Sequence, residues 1–219
     1  MDEPEPGSPP QWIWYASYGS NMYAERLRSY LEGGTPPGGK LRCPGCRDPR
    51  PPRRTTACRV PGGVYFATES QVWGGGRAFF DPALPGVAAM RAYLVTVGQF
   101  SDIAAQEMYR DPAADLDLTP VLATGRHALG EGRYETLHHV ADLDGYPVLT
   151  FTAPWSAAEV EPNPPSAAYL RMLAGGLVEG HGWDIDTAAA YLAGLPGAAG
   201  HWTARAIAAL DGRRVSGCS

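Results

Sequence analysis

The chain has 219 residues, 44% hydrophobic and 19% charged, enough for one substantial core and too apolar for a disordered polymer. A formal net charge of -5 argues against a general nucleic-acid binder, and no run approaches the ~20 apolar residues of a membrane-spanning helix. Four cysteines in this length do not build a disulfide scaffold. The acidic, proline-rich start, Met1 to Gly7, is the opposite of a basic and apolar signal peptide, so residues 1–11 are expected to be a disordered leader and the protein cytoplasmic.

Trp12-Ile13-Trp14-Tyr15-Ala16-Ser17-Tyr18 is rich in aromatic and β-branched residues and predicts a strand. Gly19-Ser20-Asn21 turns the chain, with Asn21 or Ser20 suited to cap the next helix. In that helix Tyr23, Leu27, Tyr30 and Leu31 form one stripe before Gly33-Gly34 stops it. A strand, a tight polar turn and a helix start gather free backbone N–H groups at one spot, which favours a carboxylate or an oxyanion. Residues 33–63 show little periodicity. They hold Cys43-Pro44-Gly45-Cys46, Cys58 and several arginines. Half a zinc knuckle without a fourth ligand nearby reads as loop cysteines, and the arginines read as a solvated face.

Strands are expected at Val64 to Ala67, Arg77 to Pro82 and Ala89 to Thr96, with Trp73-Gly74-Gly75-Gly76 as a turn before the second. Ser101 is a plausible cap for a helix running to Tyr109, on which Glu107 shares the inward face of Ile103 and Ala104. A carboxylate placed there needs either a partner or a purpose. Residues 110–132 look like an insertion. Gly132 to Ala141 and Tyr146 to Thr152 flank Asp144-Gly145, a hairpin signal, and Pro147 suggests that the second strand is at an edge, or bonded on one side only, near its start. His138 and His139 point to opposite faces of a strand and do not share an ion easily. The last fifty residues predict small helices, two capped by Ser166 and Asp186 and a third over the stretch Thr203 to Leu210. They must dock on the rest of the protein, because they are too short to stand alone.

Tyr18-Gly19-Ser20-Asn21-Met22, directly after a first strand, resembles the Y-G-S-N-[LM] signature of the gamma-glutamylcyclotransferase-like family. The glycine turn after Trp73, Glu107 after a long strand, and the Tyr134 strand with its Asp-Gly hairpin follow in that family's order, over about residues 12–152. The resemblance implies an α+β fold around a small mixed β-barrel with surrounding helices, residues 12–160; the helices over 161–219 lie beyond what the family needs and are expected to be a C-terminal extension packed on the same core. It implies cleavage of a γ-glutamyl amide by intramolecular aminolysis, releasing 5-oxoproline and an amine or amino acid. Glu107 would be the catalytic acid–base, and Tyr18, Gly19, Ser20, Asn21, Met22 and Tyr134 would contact the substrate. No metal or other cofactor is implied, and the partner is a small γ-glutamyl molecule rather than nucleic acid or membrane. Two departures stand out: Met108 where the family has glycine, and Thr136 where it has arginine. A non-catalytic adaptor on the same fold and a metal-dependent amidohydrolase or deacetylase are the alternatives. The leaving amine and the oligomeric state are left open.

Overall fold

A computed structural model describes residues 11–36 and 42–211. The expected leader therefore falls, apart from Gln11, outside the described residues. In chain order the elements are β1 (Trp12–Ser17), a 3-10 turn (Ser20–Met22), α1 (Ala24–Glu32), β2 (Arg54–Pro61), β3 (Gly63–Ala67), β4 (Arg77–Asp81), β5 (Val87–Thr96) and α2 (Val97–Glu107). They continue with α3 (Thr119–Thr124), β6 (Arg126–Ala128), β7 (Thr136–Leu143), β8 (Tyr146–Thr152), a 3-10 turn (Ala157–Glu159), α4 (Ala167–His181), α5 (Ile185–Ala193) and α6 (Ala204–Ala208). No helix among the described residues is long and apolar enough to cross a membrane.

The class is α+β with a mixed sheet. Six strands lie in the order β2-β5-β1-β8-β7-β6, and β3 and β4 form a separate antiparallel ribbon. β1 sits in the middle, antiparallel to β5 and parallel to β8. Alternation along β1 sends Trp14 and Ala16 into the core shared with α4, α5 and α6, and Ile13 and Tyr15 into the core under α1, α2 and α3. Both faces are covered, which is why this strand reads as an unbroken apolar run. Backbone ladders do not close the strands into a ring. A side chain joins ribbon to sheet instead: Thr152 Oγ1 accepts from Phe80 N at 3.0 Å and donates to Phe80 O at 2.8 Å.

Several local expectations hold for the physical reason given. Asp144 and Gly145 both take positive φ, 51° and 80°, and close the β7–β8 hairpin. Pro147 precedes the first residue of β8 that pairs with β1, Val148, so its missing N–H faces no ladder on that side. Gly76 lies where a Cβ would come within 1.9 Å of Asn163 O, so the glycine turn serves close approach of the protein's own backbone at 163–165.

Other expectations are corrected. α1 is capped by neither Asn21 nor Ser20: the 3-10 turn intervenes and Tyr23 is the N-cap, without a side-chain bond. α2 starts at Val97 rather than near Ser101, through a capping box between Thr96 and Gln99, and Glu107 is its last residue. β2 occupies the region read as irregular. It is an edge strand whose side chains are mostly exposed, so it shows no apolar alternation. The supposed insertion holds α3 and β6. Asp184, not Asp186, caps α5.

The loop cysteines are free thiols. Cys46 donates to Tyr30 O at 3.3 Å, and the adjoining Arg47 binds Asp102, holding this loop against α1 and α2. Among the described residues no three His, Cys, Asp or Glu side chains gather as metal ligands. His138 packs edge-on against Phe80, whereas His139 pairs with Asp142 at 3.0 Å.

Candidate active site

β1 ends beneath a cleft, and the chain leaves it through the Gly19-Ser20-Asn21 turn. Ser20 and Asn21 begin a 3-10 helix, whose geometry supplies no intrahelical acceptor for its first N–H groups. α2 runs from the end of β5 across the sheet and delivers Glu107, half-buried, to the same place. Asn21 Nδ2 donates to Glu107 Oε1 at 3.0 Å and lies 3.3 Å from the Tyr15 hydroxyl. The turn and the carboxylate, 86 residues apart in sequence, are thus held by one amide.

Phenol hydroxyls surround this carboxylate. Burial raises the pKa of Tyr15, and the Glu107 charge raises it further. Tyr30 is raised in the same way, by burial first and then by the Glu107 charge. Tyr169 is pushed up to about 12 by burial; its bond from Ala78 N opposes the rise, Glu107 adds to it, and Arg26 and Arg77 oppose it. Burial also raises Tyr134. These phenols all stay protonated through the neutral range.

Two joined cavities open onto Glu107. A small recess of about 40 Å³ is lined by the turn residues Tyr18, Gly19, Ser20 and Asn21 together with Glu107 and Tyr134. A larger cleft of about 320 Å³ shares Ser20, Glu107, Tyr134 and Tyr169 with it and extends outward past Arg26, Trp73 and Arg77. Six of the seven predicted site residues therefore meet: Tyr18, Gly19, Ser20, Asn21, Glu107 and Tyr134. Met22 lines neither cavity. Its side chain is buried in the core, and its carbonyl accepts from Arg91 and Tyr93. The Tyr18 hydroxyl donates to Phe151 O at 2.9 Å and the Tyr134 hydroxyl to Ala78 O at 3.1 Å, so both protons are committed to the frame of the recess. Thr136, in the place of the arginine that the resemblance would put there, is fully buried and its Oγ1 has no partner.

Sequence reasoning missed Arg26, Trp73, Arg77 and Tyr169. Arg26 had a signal: it lies three residues after Tyr23 and four before Tyr30, on the buried stripe of α1. Its Nε donates to Ser20 Oγ at 2.7 Å, and its guanidinium stacks 5.0 Å from the Trp73 ring. Trp73 in turn stacks on Tyr169 at 5.6 Å. Tyr169 comes from the first C-terminal helix, and nothing local in the sequence marks it as a wall of the cleft.

No protein-family model matches the chain. The chain is 34% identical over 203 residues to histone deacetylase 5 of Arabidopsis thaliana, a match covering 82% of this chain and 30% of that protein. It thus spans less than a third of that relative's length. Among solved structures, a gamma-glutamyl cyclotransferase overlaps 84% of this chain and 89% of its own, at 16% identity and a TM-score of 0.46. The uncharacterized human protein loc79017 overlaps 78% and 81% respectively, with the same identity and TM-score.

Proposed function

We propose that the protein cleaves γ-glutamyl amides by intramolecular aminolysis, releasing 5-oxoproline and an amine or amino acid. The observation that carries this reading is the meeting of Glu107 with the turn of the Tyr18-Gly19-Ser20-Asn21-Met22 motif through Asn21. The free α-amine of the substrate attacks its own γ-carbonyl, so the nucleophile is already tethered and the protein has to hold the chain folded back. Glu107 accepts the proton released by the attacking nitrogen and delivers it to the departing one. The Ser20 and Asn21 N–H groups stabilise the oxygen that turns anionic as the tetrahedral intermediate forms. Asn21 fixes one carboxylate oxygen and leaves the other for the proton.

The test is release of 5-oxoproline from γ-glutamyl dipeptides and γ-glutamyl amines by native and Glu107→Gln protein. Native protein is expected to turn over at least one of them, and the variant to lose about 10⁴-fold in rate, the upper end for general acid–base catalysis. A native protein inert on every γ-glutamyl amide sinks the reading.

One observation favours a second reading. The similarity to histone deacetylase 5 occupies only 30% of that protein, which suits a module attached to a larger enzyme. In that reading the same cleft binds a γ-glutamyl-like ligand without turning it over. Stoichiometric binding with no 5-oxoproline formed is its signature.

A further inference from the structure

The loop between α1 and β2 sets a thiol in the wall of the outer cleft. Cys43 lines that cleft of about 320 Å³ beside Arg26, Arg42 and Pro44. Its backbone is fixed in both directions: Cys43 N donates to Gly34 O at 2.8 Å, and Cys43 O accepts from Gly34 N at 3.0 Å. The half-buried thiol is free and makes no hydrogen bond among the described residues. The other thiols of the sheet and loop stand elsewhere. Cys46 donates to Tyr30 O at 3.3 Å, Cys58 packs beside the core of the sheet, and neither lines the cleft.

Next to the Cys43 thiol stands a cation without an anion. Arg26 is 5% exposed and lines the same cleft, and its Nη1 is buried without a hydrogen-bond partner. Among the described residues no carboxylate lies within 4 Å of its guanidinium, although Arg47, Arg54 and Arg91 each have one. A buried guanidinium in this state is costly, and an anion entering the cleft relieves the cost. The cation also acts on the sulfur. Burial raises the Cys43 thiol above its ordinary value, Arg26 opposes that rise, and Glu107 adds to it. A thiol held up by burial reacts slowly with reagents at large. A fixed positive charge beside it gathers anionic reagents and so decides which of them reach the sulfur.

We propose that Cys43 is a thiol-exchange site for small disulfides that carry a carboxylate, with Arg26 holding the carboxylate while the sulfur is attacked. The Cys43 thiolate attacks one sulfur of the disulfide, the S–S bond of the reagent breaks, and a new S–S bond joins one half to Cys43. The other half leaves as a thiolate and takes up a proton, replacing the one that Cys43 released, so one disulfide is exchanged for another without net oxidation. The attached acid then occupies the outer cleft on the approach to Glu107, and a free thiol removes it by the reverse exchange. The site does not depend on the reaction proposed above.

Dithiodipropionate and cystamine are the probes, two disulfides with the same short arms that end in carboxylates in one and ammonium groups in the other. Adduct formation at Cys43 is followed by peptide mass mapping in folded protein and in the same protein unfolded by urea, which corrects for the different leaving thiols. As the ratio of folded to unfolded rate, the acid is expected to exceed the amine at least about tenfold, the scale of one charge-assisted hydrogen bond. It should also modify Cys43 before Cys46 or Cys58, and in Arg26→Gln the preference for the acid should vanish. No adduct at Cys43, no preference for the acid in native protein, or an undiminished preference in folded Arg26→Gln overturns the proposal. So does an adduct that forms first at Cys46 or Cys58. Where Arg26→Gln does not fold, competition decides. Excess propionate, which has the carboxylate but no sulfur, should slow the reaction of native protein with dithiodipropionate and leave that with cystamine unchanged; equal rates with and without it overturn the proposal.

Discussion

At the scale of single residues, the site depends on one amide holding one carboxylate. Replacing Glu107 by glutamine keeps the shape, and the new amide oxygen can still accept from Asn21 Nδ2 at the 3.0 Å now seen. The fold should therefore persist, with a melting temperature equal to that of native protein or slightly higher, since removal of a partly buried charge relieves desolvation. A Glu107 that only braces the helix predicts the reverse, a lower melting temperature with turnover kept. His138 supplies a different signature. Burial, with a smaller contribution from Arg126, lowers its pKa to about 4, against 6.5 when free. The unfolded chain then binds a proton between these values that the folded chain refuses. Stability should be full above about pH 6.5 and fall as the pH drops toward 4, by no more than about 3 kcal/mol. Melting curves of native and His138→Leu protein between pH 7 and 4.5 check this: the substitution should flatten the slope. An equal slope in both would mean that another group carries the acid sensitivity.

At the scale of elements, legibility followed periodicity. β1, α1, β5 and the β7–β8 hairpin were readable because each buries a regular set of side chains or closes on a turn pair that only positive φ permits. β2 was not, because an edge strand with threonine and arginine facing water has no pattern to show. α2 was recognised with the wrong start: its capping box joins Thr96 and Gln99, upstream of the cap expected at Ser101. The candidate site divides along the same line. Its motif and its carboxylate were visible locally, whereas Trp73, Arg77 and Tyr169 reach the cleft only through packing between distant elements. The glycine turn gives an element-scale prediction. Gly76→Ala would set a methyl group 1.9 Å from Asn163 O, so the 163–165 segment must move off the glycine turn. The expected cost is about 2–4 kcal/mol, since backbone rather than a flexible side chain has to give way. A denaturant midpoint unchanged from native would show that the segment yields freely.

At the scale of the whole molecule, the C-terminal helices share the core of the sheet. Leu170, Leu173, Leu177, Ala188, Leu192 and Ile207 are buried in the same cluster as Trp14, Phe66 and Leu94. Deleting the chain after Ser166 would uncover that face and also remove Tyr169 from the cleft, so the truncated protein should aggregate or lose cooperative unfolding. A soluble, monomeric, cooperatively melting truncation would show that the sheet needs no cover there.

The central place of β1 also sets a timetable. This strand is made before the rest of its sheet, yet its neighbours there are β5 and β8, and the cleft above it is walled by Tyr169. At ordinary rates of synthesis, on the order of ten seconds or more separate the emergence of Trp14 from that of Tyr169. Until β8 has followed, Trp12, Ile13, Trp14 and Tyr15 have no completed sheet to join. A nascent chain stalled before β8 should therefore present the aromatic run of β1 to whatever binds exposed apolar peptide, and release it only once β8 has been made.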